Sequence, residues 1–414
     1  MSSKLPVDAD RLWDDIMALA AISDPERPYT RRSFTSLYQQ GREWLTRRFR
    51  EAGLEVRIDA AGNLIGRRAG AASGLKAIVL GSHSDTVPSG GRFDGIAGVI
   101  AALETARSLR NAGVVLRHPL EVVDFLAEEP SEFGLSCVGS RGIAGVLEPS
   151  MLALKGPGNE PLGEALRRVG GDPSRLAEAR REDVGAFLEL HIEQGVVLES
   201  EGVDVGVVTS IVGIRRMEIA FEGEADHAGT TPMERRRDAF LASADYALRA
   251  REHVVTRGST VSVTNFGVVS VHPGATNIVP GRAELVHEMR DPDPAVLERL
   301  AGETAALARE VAGKHQVGVE IRPMSATVPA LCSPRIQATT EKVCATLGLA
   351  TRRLYSAAGH DAQNLARITD SGMIFIPSQG GRSHRVDEMS DWPAIERGAN
   401  ALLHTLLALA DTAA

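Results

Sequence analysis

The sequence predicts an α/β protein of two domains: a mostly parallel sheet covered by helices, and a smaller domain inserted into it. Three observations predict this. Up to about Ser210, short apolar runs that close on polar residues alternate with helical patterns. Beyond Ser210 the rhythm changes, and it returns near position 327. The chain of 414 residues is also too long for one ordinary core, since domains run to roughly 100 to 200 residues.

Each element follows from its residues. Phe34 to about Gly53 repeats its apolar residues at helical spacing, and Leu54 to Ile58 and Asn63 to Gly66 read as short strands. Ala77, Ile78, Val79 and Leu80 form a buried strand that runs into GSHSDTVPSGGRFDG. GIAGVIAALETARSLRNAG is a helix stopped by Gly113. LEVVDFLAEEP stays nearly continuously apolar to Ala127, as a strand covered on both faces should, and AFLELHIEQG near 186 to 195 is another. After Ser210 come the strand RRMEIAFEG, a helix from Asp238 to Thr256, the strands STVSVTNFGVVSV and AELVHEMRD, a helix from Pro294 to Gly313, and the strand VGVEIRP. The order βαββαβ is the split ferredoxin-like unit. Residues 211–326 therefore read as an insertion into a discontinuous domain of 1–210 and 327–414, which resumes with a helix, the strand MIFIPS and a long amphipathic closing helix.

Composition excludes several functions. With 43% hydrophobic and 24% charged residues the chain is globular with a large interior. A net charge of −8, with no basic cluster interleaved with aromatics, excludes the electrostatic footprint of a nucleic-acid binder. The arginines at Arg47 to Arg50, Arg180 to Arg181 and Arg235 to Arg237 lie beside acids and read as solvated helix faces. Cys137, Cys332 and Cys344 lack CxxC spacing, so neither a disulfide framework nor a thiolate zinc site is expected. The first residues, MSSKLPVDADRLWDDIMALA, carry acids where a signal peptide needs an apolar core, and no run is long enough to span a bilayer. A cytoplasmic protein with no membrane and no nucleic-acid partner is expected.

Four strands of the first domain end in metal-ligating side chains: His83 with Asp85 and Asp94, Glu128 with Glu129, His191 with Glu193, and His384 in PSQGGRSH. Any one alone is weak. Carboxyl-end loops of one sheet converge, however, and three histidines with two carboxylates suit zinc, manganese, cobalt or nickel.

Eight stretches together, SHSDTVPSGGRFDG, AEEPSEFG, LHIEQG, GEADHAGTTPMERRRDA, NIVPG, MRDPD, GHDAQ and IPSQGGRSH, resemble the N-carbamoyl-L-amino acid amidohydrolase and allantoate amidohydrolase group of the dimetal, aminoacylase-type M20 hydrolases. The resemblance covers nearly the whole chain in order. It implies two divalent ions, one held by His83, Asp94 and His191, the other by Asp94, Glu129 and His384, with Asp94 bridging. Peptidase members of the superfamily usually place a carboxylate where His191 stands, which tilts the reading to the carbamoylase branch. Two ions activate water and polarise a carbonyl; Glu128 would move the proton, and Asp85 would accept the other ring N–H of His83. By the same resemblance His227 is an oxyanion stabiliser, acting from the partner subunit or after domain closure. Arg290 grips the substrate α-carboxylate, Gln194 and Asn277 add polar contacts, and Gly359 and His360 line the pocket. The inserted domain would serve as lid and dimerisation surface of a homodimer. Ala357, where glycine is usual, Arg382, and RVDEMSDW after His384 depart from the family pattern and bear on substrate identity.

The expected activity is removal of the carbamoyl group from an N-carbamoyl-L-amino acid, giving the amino acid, carbon dioxide and ammonia. The same machinery acting on allantoate, ureidoglycolate, N-carbamoyl-β-alanine or an N-acyl or aryl amino acid conjugate is the near alternative. A non-catalytic homologue that binds a small ligand is the alternative of another class, against which the full set of ligands and Glu128 argues.

Overall fold

A computed structural model describes residues 5–411. Residues up to 209 with those from 331 onward make one compact unit, and residues 210–330 make another.

The larger unit is mixed α/β, built on a nine-stranded sheet. Its strands run, in spatial order, Glu55–Ile58, Leu64–Arg68, Leu120–Phe125, Ala77–His83, Val184–Ile192, Asp370–Ile376, Val205–Ile211 and Ala330–Leu331, with Thr351–Ser356 also on Val205–Ile211. The four central strands, from Leu120–Phe125 to Asp370–Ile376, are parallel. The expectation of a mostly parallel sheet needs correcting outside them. Glu55–Ile58 and Leu64–Arg68 are joined by a tight turn and pair antiparallel, as a hairpin must; antiparallel pairing recurs where Leu64–Arg68 meets the core and where Val205–Ile211 does.

The parallel core is what gathers the site. Ala77–His83 and Leu120–Phe125 are buried along their whole length, which explains their mostly apolar residues; the buried Glu121 and Asp124 are paired with Arg67 and Arg42. Register pairs His83 with Phe125 and His191 with Phe375, so all four carboxyl ends reach the same edge. Helix Ile96–Asn111 packs over the strands with almost every residue buried, and helices Ala9–Ala20 and Trp392–Asp411 complete that layer of core. Ala9–Ala20 begins on an Asp8 cap, and Leu12, Ile16 and Leu19 supply its apolar stripe. Sequence periodicity missed this helix and the strands Val205–Ile211 and Thr351–Ser356. The last is a largely exposed, polar strand (TRRLYS) without the apolar signal of a core strand.

The smaller unit runs strand Gly213–Glu222, helix Ala239–Arg257, strands Val263–His272 and Arg282–Asp291, helix Pro294–His315 and strand Gly318–Thr327. All sheet pairings are antiparallel, in the order Gly318–Thr327, Gly213–Glu222, Arg282–Asp291, Val263–His272. Burial alternates residue by residue along Arg282–Asp291, so one sheet face meets both helices in a single core. Asp238 and Asp293 cap the two helices through their side chains. Among the described residues no helix is long and apolar enough to cross a membrane.

Candidate metal centre

Asp94 sits in the middle of three imidazoles, and its two oxygens face different ways. Oδ1 lies 3.1 Å from His191 Nε2 and 3.5 Å from His83 Nε2; Oδ2 lies 3.0 Å from His384 Nε2. Glu129 Oε1 stands 3.3 Å from the same nitrogen of His384. Among the described residues this makes two groups with the spacing of metal ligands, His83–Asp94–His191 and Asp94–Glu129–His384, which share Asp94; a third group, Glu189–His191–His360, shares His191.

The ring orientations favour ligation. His191 Nδ1 is 2.8 Å from the Ile192 carbonyl and His83 Nδ1 is 3.0 Å from the Asp85 carbonyl. Each carbonyl calls for a proton on Nδ1 and leaves the Nε2 lone pair pointing at Asp94. His83 Nε2 is buried with no hydrogen-bond partner, an arrangement that a bound cation would satisfy.

The charges tell the same story. Burial pushes the Glu128 carboxyl well above the usual carboxylate range, and neighbouring Asp361 and Glu129 add to it. Glu129 rises to about 7, from burial first and the charge of Asp94 second. Asp94 is also buried, but the imidazoles of His191, His384 and His83 around it hold it well below the normal range. His384 is raised to about 9, chiefly by Asp94. Side chains alone leave this pocket short of positive charge, and the O/N donor set fits borderline divalent ions.

Glu128 belongs to neither ligand group containing Asp94. Its Oε2 is 3.6 Å from His83 Nε2, and Cys137 Sγ donates to its Oε1 at 3.5 Å. The expected role of Asp85 needs correction. Its carboxylate is 3.6 Å from His83 Nδ1, further than its own carbonyl, and instead accepts the main-chain N–H groups of Glu128 (3.2 Å) and Glu129 (3.3 Å). Asp85 thus holds the Glu128–Glu129 pair in place.

Gln194 donates from Nε2 to Asp94 Oδ2 at 2.8 Å, while its Oε1 is buried without a partner. His360 packs edge-on to His191 at 4.5 Å between ring centroids and meets Ser356 Oγ at 2.8 Å; burial pushes its pKa well down, so it stays neutral. Gly359 immediately precedes it, in the turn before helix Asp361–Leu365. Glu193 turns away from the centre and accepts the Val197 and Leu198 amides at the start of a short helix.

His227, Asn277 and Arg290 lie in the smaller unit. His227 is exposed; it forms an isolated bridge with Ile278, and the Ala228 amide donates to the Asn277 carbonyl at 2.9 Å, so these two predicted residues are neighbours. Arg290 donates from Nε to Glu288 Oε1 at 2.8 Å. Sequence reasoning missed Cys137, Ser383 and Glu388, all in contact with the residues above. The only signal was proximity, since Ser383 and Glu388 flank His384 in the loop already singled out as unusual.

The chain is similar to known proteins over nearly its whole length. Peptidase family M20/M25/M40 matches residues 79–408. An N-carbamoyl-L-amino acid amidohydrolase of Geobacillus stearothermophilus is 39% identical over 98% of this chain and 99% of its own. A ureidoglycolate hydrolase of Arabidopsis thaliana is 35% identical over 99% of this chain and 88% of its own. The crystal structure of a hydantoinase/carbamoylase family amidase from Burkholderia multivorans superposes with a TM-score of 0.87 at 36% identity, covering 98% of each chain. With fold and sequence in agreement over nearly its full length, this chain belongs to peptidase family M20/M25/M40, in the group that includes N-carbamoyl-L-amino acid and allantoate amidohydrolases.

Proposed function

We propose that the protein is a dimetal amidohydrolase that cleaves the ureido C–N bond of an N-carbamoyl-L-amino acid. One water is consumed, and the amino acid, carbon dioxide and ammonia are released. The observation that carries the reading is the division of Asp94 between two ligand groups, with the buried carboxyl of Glu128 outside both.

His83, Asp94 and His191 would hold one divalent ion and Asp94, Glu129 and His384 the other; zinc, manganese, cobalt or nickel fit these donors. Such a pair supplies Lewis acidity to the carbonyl and makes water more acidic. Glu128 takes the proton from the attacking water and delivers it to the departing nitrogen. Gln194, whose Oε1 is buried without a partner, would accept an N–H of the ureido group. Arg290 binds the α-carboxylate, because a guanidinium matches it with two parallel bonds, while His227 stabilises the developing oxyanion and Asn277 adds a polar contact. Gly359 and His360 shape the pocket wall.

In this reading residues 210–330 form a ferredoxin-like lid and dimerisation domain. Helix Ala239–Arg257 exposes Leu241, Leu248 and Val255 at intervals of seven, a single stripe, and the edge strand Val263–His272 exposes Val263, Val268 and Val269. A second copy of the chain would cover both. Three free cysteines, all buried, suit the cytoplasm. The Arabidopsis relative favours a second reading, the same machinery acting on ureidoglycolate.

The test is ammonia release from a panel of N-carbamoyl-L-amino acids, allantoate, ureidoglycolate, N-carbamoyl-β-alanine and N-acyl amino acids, using chelator-treated protein resupplied with Mn, Co, Ni or Zn. Metal-dependent turnover of N-carbamoyl-L-amino acids is expected. Turnover of N-acyl compounds alone would overturn the substrate class, and no turnover with any ion would return the protein to a binding role.

A further inference from the structure

Two loops of the centre are tied together by a side chain that the chemistry above leaves unused. Glu388 lies four residues beyond His384 and is fully buried. Its Oε1 accepts the main-chain N–H of Phe93 at 2.8 Å and of Asp94 at 3.1 Å. Its Oε2 is 2.8 Å from Ser383 Oγ, which in turn is 3.1 Å from Asp94 Oδ2. Gln194 Nε2, already on Asp94 Oδ2, is also 3.1 Å from Ser383 Oγ and closes the ring of contacts.

The Asp94 turn is shaped to receive this carboxylate. Gly91 has φ +109°, and a Cβ there would stand 2.2 Å from Glu388 Oε1, so any L side chain would displace it. The loop that carries Glu388 is anchored as well: Gln379 N–H donates to the Met389 carbonyl, and Ser390 Oγ to the Pro377 carbonyl, both at 2.8 Å.

We propose that Glu388 is a positioning residue for Asp94 and sets the metal affinity of the centre. The inference rests on the metal-centre reading of the site but not on the identity of the substrate. Asp94 has to present Oδ1 toward His83 and His191 and Oδ2 toward His384, so a rotation of its carboxylate weakens both ligand groups at once. Glu388 removes that freedom at both ends of the residue, holding its amide directly and its carboxylate through Ser383. Asp85 does the same for the amides of Glu128 and Glu129. The difference is that Glu388 comes from the loop that bears His384, so it also fixes the distance between the two ligand-bearing loops.

The experiment is metal affinity without substrate, read by competition between the protein and a chromophoric chelator for Co²⁺ or Zn²⁺. Glu388→Ala is expected to weaken binding up to about 100-fold, and Glu388→Gln, which keeps an acceptor oxygen for the two amides but no charge, roughly 10-fold. With substrate, KM should stay near the wild-type value while kcat at limiting metal falls and recovers with excess metal. A merely structural role would instead lower the thermal midpoint in chelator and leave affinity unchanged, and that result overturns the proposal. If Glu388→Ala does not fold, Glu388→Gln decides alone, wild-type affinity overturning the proposal and a roughly 10-fold loss supporting it. Wild-type protein that binds no divalent ion would overturn the metal centre and this inference with it. Altered affinity in protein inert toward carbamoyl compounds would support this inference and refute only the substrate assignment.

Discussion

Glu128 and Glu129 are neighbours in sequence, both buried, with both amides held by one carboxylate, and yet they are assigned different work. Replacing each by Gln separates the roles. Glu129 Oε1 is 3.3 Å from His384 Nε2 within a ligand group, so Glu129→Gln exchanges an anionic donor for a neutral one and should cost bound metal. Glu128 lies outside both groups that share Asp94, and glutamine fills the same space beside Cys137 and His83. Glu128→Gln should therefore remove proton transfer alone, a factor of about 10²–10⁴ in kcat, or ~3–5 kcal/mol in the barrier. The upper half of that range is expected, because the Glu128 side chain is only 10% exposed and bulk water has little access to take its place. The assay pairs ammonia-release kinetics with metal analysis per chain. Glu128→Gln should carry wild-type metal with KM nearly unchanged, while Glu129→Gln should lose metal. A Glu128→Gln enzyme that keeps more than a tenth of wild-type kcat, or that loses metal, would refute the assignment.

Four further outcomes follow. Burial lowers His287 to about 4, where Tyr246 and Thr264 hydroxyls hold its two nitrogens and Phe266 stacks on its ring. The unfolded chain takes up this proton near pH 6.5 and the folded chain only near 4, so stability is unaffected by His287 above 6.5 and falls by ~3 kcal/mol as pH drops to 4; calorimetry of wild type and His287→Gln should show diverging pH slopes, and parallel ones would refute it. Gly98→Ala would put a Cβ 2.3 Å from the Leu190 carbonyl, forcing helix Ile96–Asn111 off the strand that bears His191; a loss of ~2–3 kcal/mol is expected, and an unchanged thermal midpoint would contradict it. On the proposed dimerisation surface, Leu248→Glu places a charge in the exposed apolar stripe and should shift the assembly to monomer by light scattering; a monomeric wild type or an unaltered dimer would refute that surface. Arg290→Ala should raise KM for carboxylate-bearing substrates at least ~10-fold with a smaller change in kcat; an unchanged KM would mean the carboxylate is held by another group.

The strand ends were legible because a strand covered on both faces leaves a long apolar trace, and His83, Glu128 and His191 sit where that trace breaks. The order of the smaller unit was legible in the run of strand and helix patterns after Ser210, and the structure has the same βαββαβ order. What stayed hidden depends on loop geometry. Whether His83 meets the carboxylate or the carbonyl of Asp85 is decided by one turn of backbone that no spacing encodes. Glu388 stands in RVDEMSDW, where an acid among charged residues reads as solvated, and only the packing of that loop onto Gly91 buries it. Thr351–Ser356 was invisible for the opposite reason, since an edge strand needs no apolar face at all.

The order in which this polypeptide is made has a bearing on when the proposed centre can take up ions. Strand Asp370–Ile376 lies between Val184–Ile192 and Val205–Ile211, so the middle of the sheet waits for a segment made after the whole of residues 210–330. His384 follows it, and the two ends of the chain then fasten to each other, Val7 N–H to Asn400 and the Leu5 carbonyl to His404, each at 3.1 Å. On the ribosome, residues 210–330 can close on their own contacts while the flanking unit keeps an open sheet edge and the four proposed ligands that precede them wait for the fifth. In the proposed ligand set, ion loading therefore waits for His384, and a chain cut short before residue 370 lacks both that ligand and a central strand of the sheet.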